Sequence, residues 1–162
     1  MNDIYQQRYL AHQAKKKEQL VGNGEEPKPQ DNILKQRRSQ RMFVSVPLSD
    51  NEMGHILEAA TYAPSSCNRH GVGIQVITDR TDKALLSGIF VGAVGWAHRA
   101  HALILLWADP LAYKSPNEKE FMHYVDAGFL AMNMWLAAEQ KNVGACYINP
   151  NCNHKDLSLI HI

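Results

Sequence analysis

The feature that most constrains the fold is segment 118–141, a predicted helix whose apolar side chains lie on nearly every side. At the standard rise per residue such a helix is about 36 Å long. A helix without a polar face is typical of the centre of a fold or of a subunit interface. The segment therefore predicts a long central helix, with the apolar residues Phe121, Val125, Phe129, Leu130, Met132, Met134, Trp135 and Leu136.

Two polar side chains, Asp126 and Asn133, interrupt that apolar helix. A buried polar group needs hydrogen-bond partners, because its removal from water is otherwise costly. We therefore expect both side chains to belong to a structural network or a subunit contact rather than to a catalytic group.

Three further helices are predicted before the long one. A capping box, Ser49 followed by Glu52, opens a helix with apolar residues at positions 53, 56, 57 and 60, and Pro64 stops it. Asn32 is expected to cap a short helix upstream. Another helix is predicted over residues 83–96.

Three segments have the patterns of strands in a single sheet. In the segment 72–77, Val72, Ile74 and Val76 alternate with Gly73, Gln75 and Ile77, and a polar cluster follows. Residues 102–108 form a continuous apolar run, which is typical of a strand buried on both faces. A last strand is predicted over residues 145–148. The order helix, helix, strand, helix, strand, long helix, strand describes a mixed α and β domain.

The length of 162 residues and the 45% hydrophobic fraction suit one folded domain and exclude a disordered chain. Residues 1–31 are expected to form a helical and linker extension, 32–156 the compact domain, and 157–162 a non-native cloning or assembly scar. The first 41 residues carry nine Lys/Arg against five Asp/Glu, yet the whole chain has a formal net charge of only +1. That near-neutral charge argues against wholesale binding of nucleic acid or a membrane.

Three cysteines without a dense framework, together with a polar N-terminus, indicate a reducing compartment, and we expect a soluble cytoplasmic protein. The apolar stretch 85–107 is interrupted by His98, Arg99 and His101, which argues against a membrane span. His98 and His101 have the spacing of two zinc ligands on one helical face. No further ligand follows at a useful spacing, so we expect no metal site.

A basic motif, Arg37-Arg38-Ser39-Gln40-Arg41, stands near the start of the expected domain. Guanidinium groups match phosphate oxygens in bidentate geometry, and a serine hydroxyl adds a donor. The motif therefore suits one phosphate monoester. A solvated basic face is an equal alternative, and a nucleic-acid patch shared with lysines 15–17 ranks lower, because no interleaved aromatic residues accompany it.

A polar loop, Ala63-Pro64-Ser65-Ser66-Cys67-Asn68-Arg69-His70, joins a predicted helix to a predicted strand. Its backbone amides, its hydroxyls and the Asn68 amide suit the polar edge of a ligand. Taken alone, a loop of this composition is more often an ordinary turn.

These segments follow one another as R-R-S-x-R, then A-P-S-S-x-N before a strand, then D-A-G-x-x-x-x-N in the long helix, then a G-x-C strand. Over residues 33–148 this order resembles the FMN-dependent nitroreductase family. The resemblance implies a three-layer α/β/α fold of the α+β class with a mixed, largely antiparallel sheet. It also implies a homodimer with FMN at the subunit interface. In such a flavoprotein, ping-pong chemistry passes a hydride from NAD(P)H through the flavin to a nitro compound, a quinone or a similar acceptor.

The same resemblance implies a set of flavin-binding residues and no catalytic side chain, because FMN carries the hydride chemistry. The residues expected at the FMN phosphate are Arg37, Arg38, Ser39 and Arg41. Those expected to touch the flavin from the partner subunit are Pro64, Ser65, Ser66 and Asn68. A backbone N–H at Ile148 or Asn149 is expected near the flavin N5 atom.

Three features depart from the family pattern. His70-Gly71-Val72 follows where the family often has Gln-Pro-Trp, and Pro150 lacks the N–H that a glycine often offers there. A further strand, a second basic phosphate contact and a C-terminal arm do not follow, so we expect the domain to be truncated at its C-terminus. The alternatives are a non-catalytic FMN-binding or dimerisation module with the same fold and, lower in rank, a basic nucleic-acid-binding protein.

Overall fold

A computed structural model describes residues 29–44, 46–114 and 119–148 of the chain. Most of the expected N-terminal extension, Asn149, Pro150 and the expected scar 157–162 lie outside the described residues. The helices are α1 (Pro29–Gln36), α2 (Asp50–Thr61), α3 (Arg80–Ile89) and α4 (Met122–Gln140), and the strands are β1 (Val72–Ile77) and β2 (Leu103–Ala108). Short 3₁₀ turns lie at Ser66–Asn68, Ala97–Arg99 and Pro110–Tyr113.

Strands β1 and β2 pair antiparallel, from Val72 opposite Ala108 to Ile77 opposite Leu103. The strands predicted over 72–77 and 102–108 are confirmed, although the second begins at Leu103. The strand predicted over 145–148 is wrong: in the described chain, Ala145 makes a single parallel bridge to Ser39. A strand needs a continuous neighbour for its backbone groups, and this segment has one ladder position only.

The sheet separates two helical layers, as the predicted three-layer arrangement requires. Leu103 and Leu105 of β2 pack towards α3, whereas Ile104 and Leu106 pack towards α2 and α4. This is the alternation of a strand, in which successive side chains point to opposite faces. Both faces of β2 are therefore covered, although its side chains are only half-buried and Trp107 is 54% exposed.

The predicted capping box at the start of α2 is confirmed. The Ser49 hydroxyl accepts from the Glu52 N–H at 3.3 Å, and the Glu52 carboxylate accepts from the Ser49 N–H at 2.8 Å. The Ser49 hydroxyl also donates to the Glu52 carboxylate at 2.7 Å, and this bond, with that from the Ser49 N–H next in importance, lowers the pKa of Glu52 below its ordinary value. The helix ends at Thr61, ahead of Pro64.

Three predicted boundaries of the shorter helices are wrong. Helix α1 begins at Pro29 and therefore contains Asn32, which was expected to cap it. Proline suits the first helical position because its φ is already helical and no N–H is needed there. Helix α3 begins at Arg80 rather than at residue 83, because the Asp79 carboxylate accepts from the N–H groups of the first turn, and it ends at Ile89 rather than at residue 96.

Helix α4 is the central helix that the sequence predicts, although it is shorter than expected. Its 19 residues span about 28 Å at the standard rise. Met134 and Ala138 of α4 pack against Ile56 and Ala60 of α2, in one of the two hydrophobic clusters. In the described residues, no helix is both long and apolar enough to cross a membrane.

The second hydrophobic cluster lies on the other side of the sheet and provides a first prediction. Leu86 of α3 is 1% exposed there, against Ile77, Phe90 and Ala93. We expect Leu86→Ala to lower the free energy of unfolding by about 2–5 kcal/mol, because it removes apolar contacts and leaves a cavity. Urea unfolding measures the change. The matched control is Leu85→Ala on the same helix, where the side chain is 53% exposed and a change within about 0.5 kcal/mol is expected.

Candidate functional site

The basic motif follows the end of α1, and its three guanidinium groups are held by specific contacts. The Arg37 guanidinium lies over the Trp135 ring of α4, 4.2 Å from its centroid. Arg38 Nη1 donates to the carbonyls of Lys35 and Arg37 at 2.5 and 2.9 Å. The exposed Arg41 lies 5.8 Å from the centroid of the Trp96 ring. Three cationic groups therefore stand close together along the chain, two of them on aromatic rings.

The bridge between Ser39 and Ala145 joins this motif to the end of the described chain. The Gln40 N–H donates to the Ala145 carbonyl at 2.9 Å. A Cβ added to Gly144 would approach the Gln40 side chain to 3.2 Å, so a larger residue would crowd the bridge. Residues 37–41 and the segment that leads to Ile148 therefore form one substructure. The predicted partner of Ile148 in flavin binding, Asn149, is outside the described residues.

The polar loop 64–70 is tied to α4 by a buried carboxylate. Asp126 is 3% exposed, and both of its carboxylate oxygens accept from the Ser66 N–H, at 3.1 and 3.0 Å. The Tyr113 hydroxyl donates to Asp126 Oδ2 at 2.8 Å. Asn133 Nδ2 donates to the Ala59 carbonyl at 3.3 Å. Both polar residues of the long helix thus have the structural partners that the sequence requires.

Three non-glycine residues of the loop adopt left-handed backbone conformations. Their φ angles are +49° at Cys67, +57° at Asn68 and +50° at His70. Asn and His enter this region more readily than other residues do, and each such conformation costs on the order of 1–3 kcal/mol. Hydrogen bonds from the His70 N–H to Ser65 Oγ (3.0 Å) and between Asn68 Oδ1 and His70 Nε2 (2.9 Å) stabilise this shape.

Tyr113 is a donor to this network that sequence reasoning missed. Burial, with the hydrogen bond to Asp126 next in importance, raises the pKa of Tyr113 to about 12. The hydroxyl therefore keeps its proton at neutral pH and donates a hydrogen bond to the Asp126 carboxylate. Tyr113 lies 13 residues before Asp126 in a short turn, and no local sequence pattern connects the two. Trp96 and Trp135, which support Arg41 and Arg37, were missed for the same reason.

The two groups of predicted site residues contact different faces of α4. Arg37 lies over the Trp135 ring, and the loop binds Asp126 through the Ser66 N–H. Trp135 follows Asp126 by nine residues. At about 100° per residue this separation places them about 180° apart around the helix axis, and about 13 Å apart along it. One copy of the chain therefore brings Arg37 of the basic motif to one face of α4 and the loop to the other.

Two cavities border these groups. A cavity of about 180 Å³ lies beside the loop, and Pro64, Ser65, His70, Tyr113 and Asp126 are among its lining residues. A larger one of about 470 Å³ lies between β2 and the segment before Ile148, with mostly apolar walls. Across the described ranges, no group of three or more His, Cys, Asp or Glu side chains is placed to hold a metal ion.

Comparison with protein families identifies a match. The model of the Nitroreductase family matches residues 34–94 and 91–153, which together are most of the chain. The NADPH-flavin oxidoreductase of Vibrio harveyi is 29% identical over 119 residues, covering 68% of this chain and 49% of the relative. The chain thus spans about half the length of the curated relative that it matches.

Solved structures show the same fold. A nitroreductase family protein from Clostridium novyi superposes with a TM-score of 0.72 at 20% identity, over 80% of this chain and 73% of that one. A proposed nitroreductase from Desulfovibrio desulfuricans, solved in complex with FMN, superposes with a TM-score of 0.68 at 27% identity, over 76% and 69% of the two chains. The predicted three-layer α+β class is therefore confirmed.

Proposed function

The chain belongs to the nitroreductase family, and from that premise we propose that it is an FMN-dependent oxidoreductase of nitroreductase type. In this proposal NAD(P)H is the hydride donor, and a nitro compound, a quinone or a similar small molecule is the acceptor. The observation that carries it is the arginine motif, in which three guanidinium groups and the Ser39 hydroxyl occur within five residues, with Arg37 over Trp135 of α4 and Arg41 near Trp96.

These residues fit a phosphate group. Arg38, Ser39 and Arg41 are exposed, so their donors are open to a ligand, and guanidinium groups bind phosphate oxygens in pairs. Arg38 also lies at the C-terminal end of α1, where its cation is favoured by the helix dipole. We propose that Arg37, Arg38, Ser39 and Arg41 hold the FMN phosphate. Main-chain groups at Ile148 and Asn149 are proposed to lie at the flavin N5 edge.

The loop fits the polar edge of a flavin ring. The proposed ring contacts are Pro64, Ser65, Ser66 and Asn68, of which Pro64 and Asn68 are exposed. When bound, FMN would accept a hydride from NAD(P)H and pass it to the acceptor, in two half-reactions. The residues of this chain would bind the phosphate, fix the ring and exclude water, so no titrating side chain is required.

We propose that the complete site needs two copies of the chain. The arginine motif and the loop lie on opposite faces of α4, so a homodimer would join the motif of one copy to the loop of its partner. Helix α4 and its N-cap residue leave four side chains between 43% and 72% exposed: Phe121, Tyr124, Phe129 and Met132. At about 100° per residue these four side chains lie within roughly 140° of one another, which makes one apolar face. A second copy packed there would bury a surface that is unusual for a free monomer.

Reduction of bound flavin tests the proposed activity. The chain is incubated with FMN, freed of excess, and mixed with NADPH or NADH without oxygen. We expect the yellow flavin absorption to bleach and to return when a quinone or a nitroaromatic compound is added. Bound FMN that is never bleached would instead favour the non-catalytic module, and a protein that takes up no FMN would contradict both.

We further propose a cytoplasmic location. Cys67 and Cys146 are free thiols in the structure, which suits a reducing compartment. The proposed partners are a second copy of the chain and small molecules, with neither nucleic acid nor a membrane among them.

A further inference from the structure

We propose that Asp126 is a positioning residue for the flavin site: its buried carboxylate sets the conformation in which loop 64–70 meets the flavin. The inference rests on the proposed FMN-binding function. It assigns to the long helix a role in cofactor binding, in addition to its roles in the core and at the proposed interface.

The chemistry at Asp126 requires a group that only accepts hydrogen bonds. Two donors converge on it, the Ser66 N–H at 3.0–3.1 Å and the Tyr113 hydroxyl at 2.8 Å. An ionised carboxylate accepts from both. An asparagine side chain would instead point its NH₂ donor at the Ser66 N–H or the Tyr113 hydroxyl, and two donors cannot form a hydrogen bond with each other. A single side chain thereby joins α4, the Pro110–Tyr113 turn and the loop.

The bonds from the Ser66 N–H to Asp126 connect the loop to α4, whereas other hydrogen bonds connect residues of the loop to one another. The bonds from the His70 N–H to Ser65 Oγ, between Asn68 and His70, and from Arg69 Nη1 to Ser66 Oγ (3.1 Å) all lie within the loop. These bonds stabilise the left-handed backbone conformations of the loop, while the bonds to Asp126 fix the position of the loop relative to α4. Loss of the carboxylate would therefore shift Asn68 and Ser65 relative to the bound ring.

The effect would act across the proposed dimer. Asp126 faces the side of α4 opposite to Trp135 and Arg37, so the loop that it holds would reach the flavin whose phosphate the partner copy binds. A positioning role of this kind changes the affinity for FMN, whereas a purely structural role changes only the fraction of folded protein.

The test compares FMN dissociation constants, from quenching of flavin fluorescence, for the wild type, Asp126→Ala, Asp126→Asn and Tyr113→Phe. We expect Asp126→Ala to weaken binding by about 10- to 100-fold, since it removes hydrogen bonds to a charged group, and the two conservative variants to weaken it less. The matched control is Asn133→Ala, which removes another polar side chain of α4 and its bond to Ala59. It should destabilise the fold and leave the FMN dissociation constant unchanged.

A second readout needs no flavin. Hydrogen exchange of the Ser66 amide should be slow in the wild type and faster in Asp126→Ala, and Asn133→Ala should not change it. If the wild type binds no FMN, the proposed function fails, and the exchange rate still decides whether Asp126 holds the loop.

Equal FMN affinity in folded Asp126→Ala and wild type would overturn the proposal, and so would an unchanged Ser66 exchange rate. Where Asp126→Ala does not fold, Asp126→Asn gives the same decision, because its amide would face the Ser66 N–H and must raise both the dissociation constant and the exchange rate.

Discussion

Replacement of Arg38 and Arg41 together by glutamine is expected to weaken FMN binding by roughly 100- to 10,000-fold. Each change removes charge-assisted hydrogen bonds to the phosphate, and such bonds contribute about 1.5–3 kcal/mol apiece. Both side chains are exposed in the free chain, and neither belongs to a hydrophobic cluster. The fold should therefore persist, and an FMN titration by flavin fluorescence reads the loss directly.

Two controls separate a phosphate site from a general charge effect. Arg80→Gln changes the charge of an exposed residue in the first turn of α3 and should leave FMN affinity unchanged. Riboflavin, which lacks the phosphate, should bind the wild type and the double variant equally. If the double variant keeps wild-type affinity for FMN, the motif is an ordinary solvated basic face.

Introduction of two carboxylates on the exposed face of α4, by Phe129→Glu and Met132→Glu, is expected to dissociate the dimer and abolish FMN binding with it. Phe129 is 45% and Met132 43% exposed in one copy, so both substitutions are tolerated in a monomer. At a closed interface each would bury a charge without a partner. Loss of two central apolar contacts weakens association by about 100-fold or more. Sedimentation equilibrium measures the oligomeric state.

Leu85→Glu is the control for that experiment, since it places the same charge on an exposed apolar position of α3. We expect it to remain dimeric and to bind FMN. A Phe129→Glu/Met132→Glu variant that stays dimeric would show that α4 does not form the interface. A monomer that still binds FMN with full affinity would show that one copy completes the site.

Local sequence signals sufficed for the elements whose causes are local. The alternation over Val72–Ile77 and the Ser49 capping box each predict what the structure has, because side-chain periodicity and cap chemistry act within a few residues. The errors at the starts of α1 and α3 also have local causes, since Pro29 and Asp79 are both helix start signals. The segment after Ala145 is different, because a strand forms only where a neighbouring strand is present.

The candidate site was predictable as a list of residues and not as an arrangement. The arginine motif and the loop are visible in the sequence, whereas their positions on opposite faces of α4 follow from the packing of Arg37 on Trp135 and of Ser66 on Asp126. Tyr113 joins the loop only through the fold. Contacts between residues far apart in sequence leave no periodic signal. The contacts of Trp135 with Arg37, of Asp126 with Ser66 and of Tyr113 with Asp126 therefore appear only in the structure.

The most direct test of the two-copy flavin site is a subunit-mixing measurement. One chain carries Arg38→Gln/Arg41→Gln and the other Ser65→Ala/Asn68→Ala, so that each homodimer lacks one half of both sites and is expected to bind FMN poorly. After random exchange of equal amounts, half of the dimers are mixed and each contains one intact site, so about one quarter of all sites should bind FMN with wild-type affinity. An FMN titration that shows no recovery of high-affinity sites after confirmed subunit exchange would contradict a site shared between two copies.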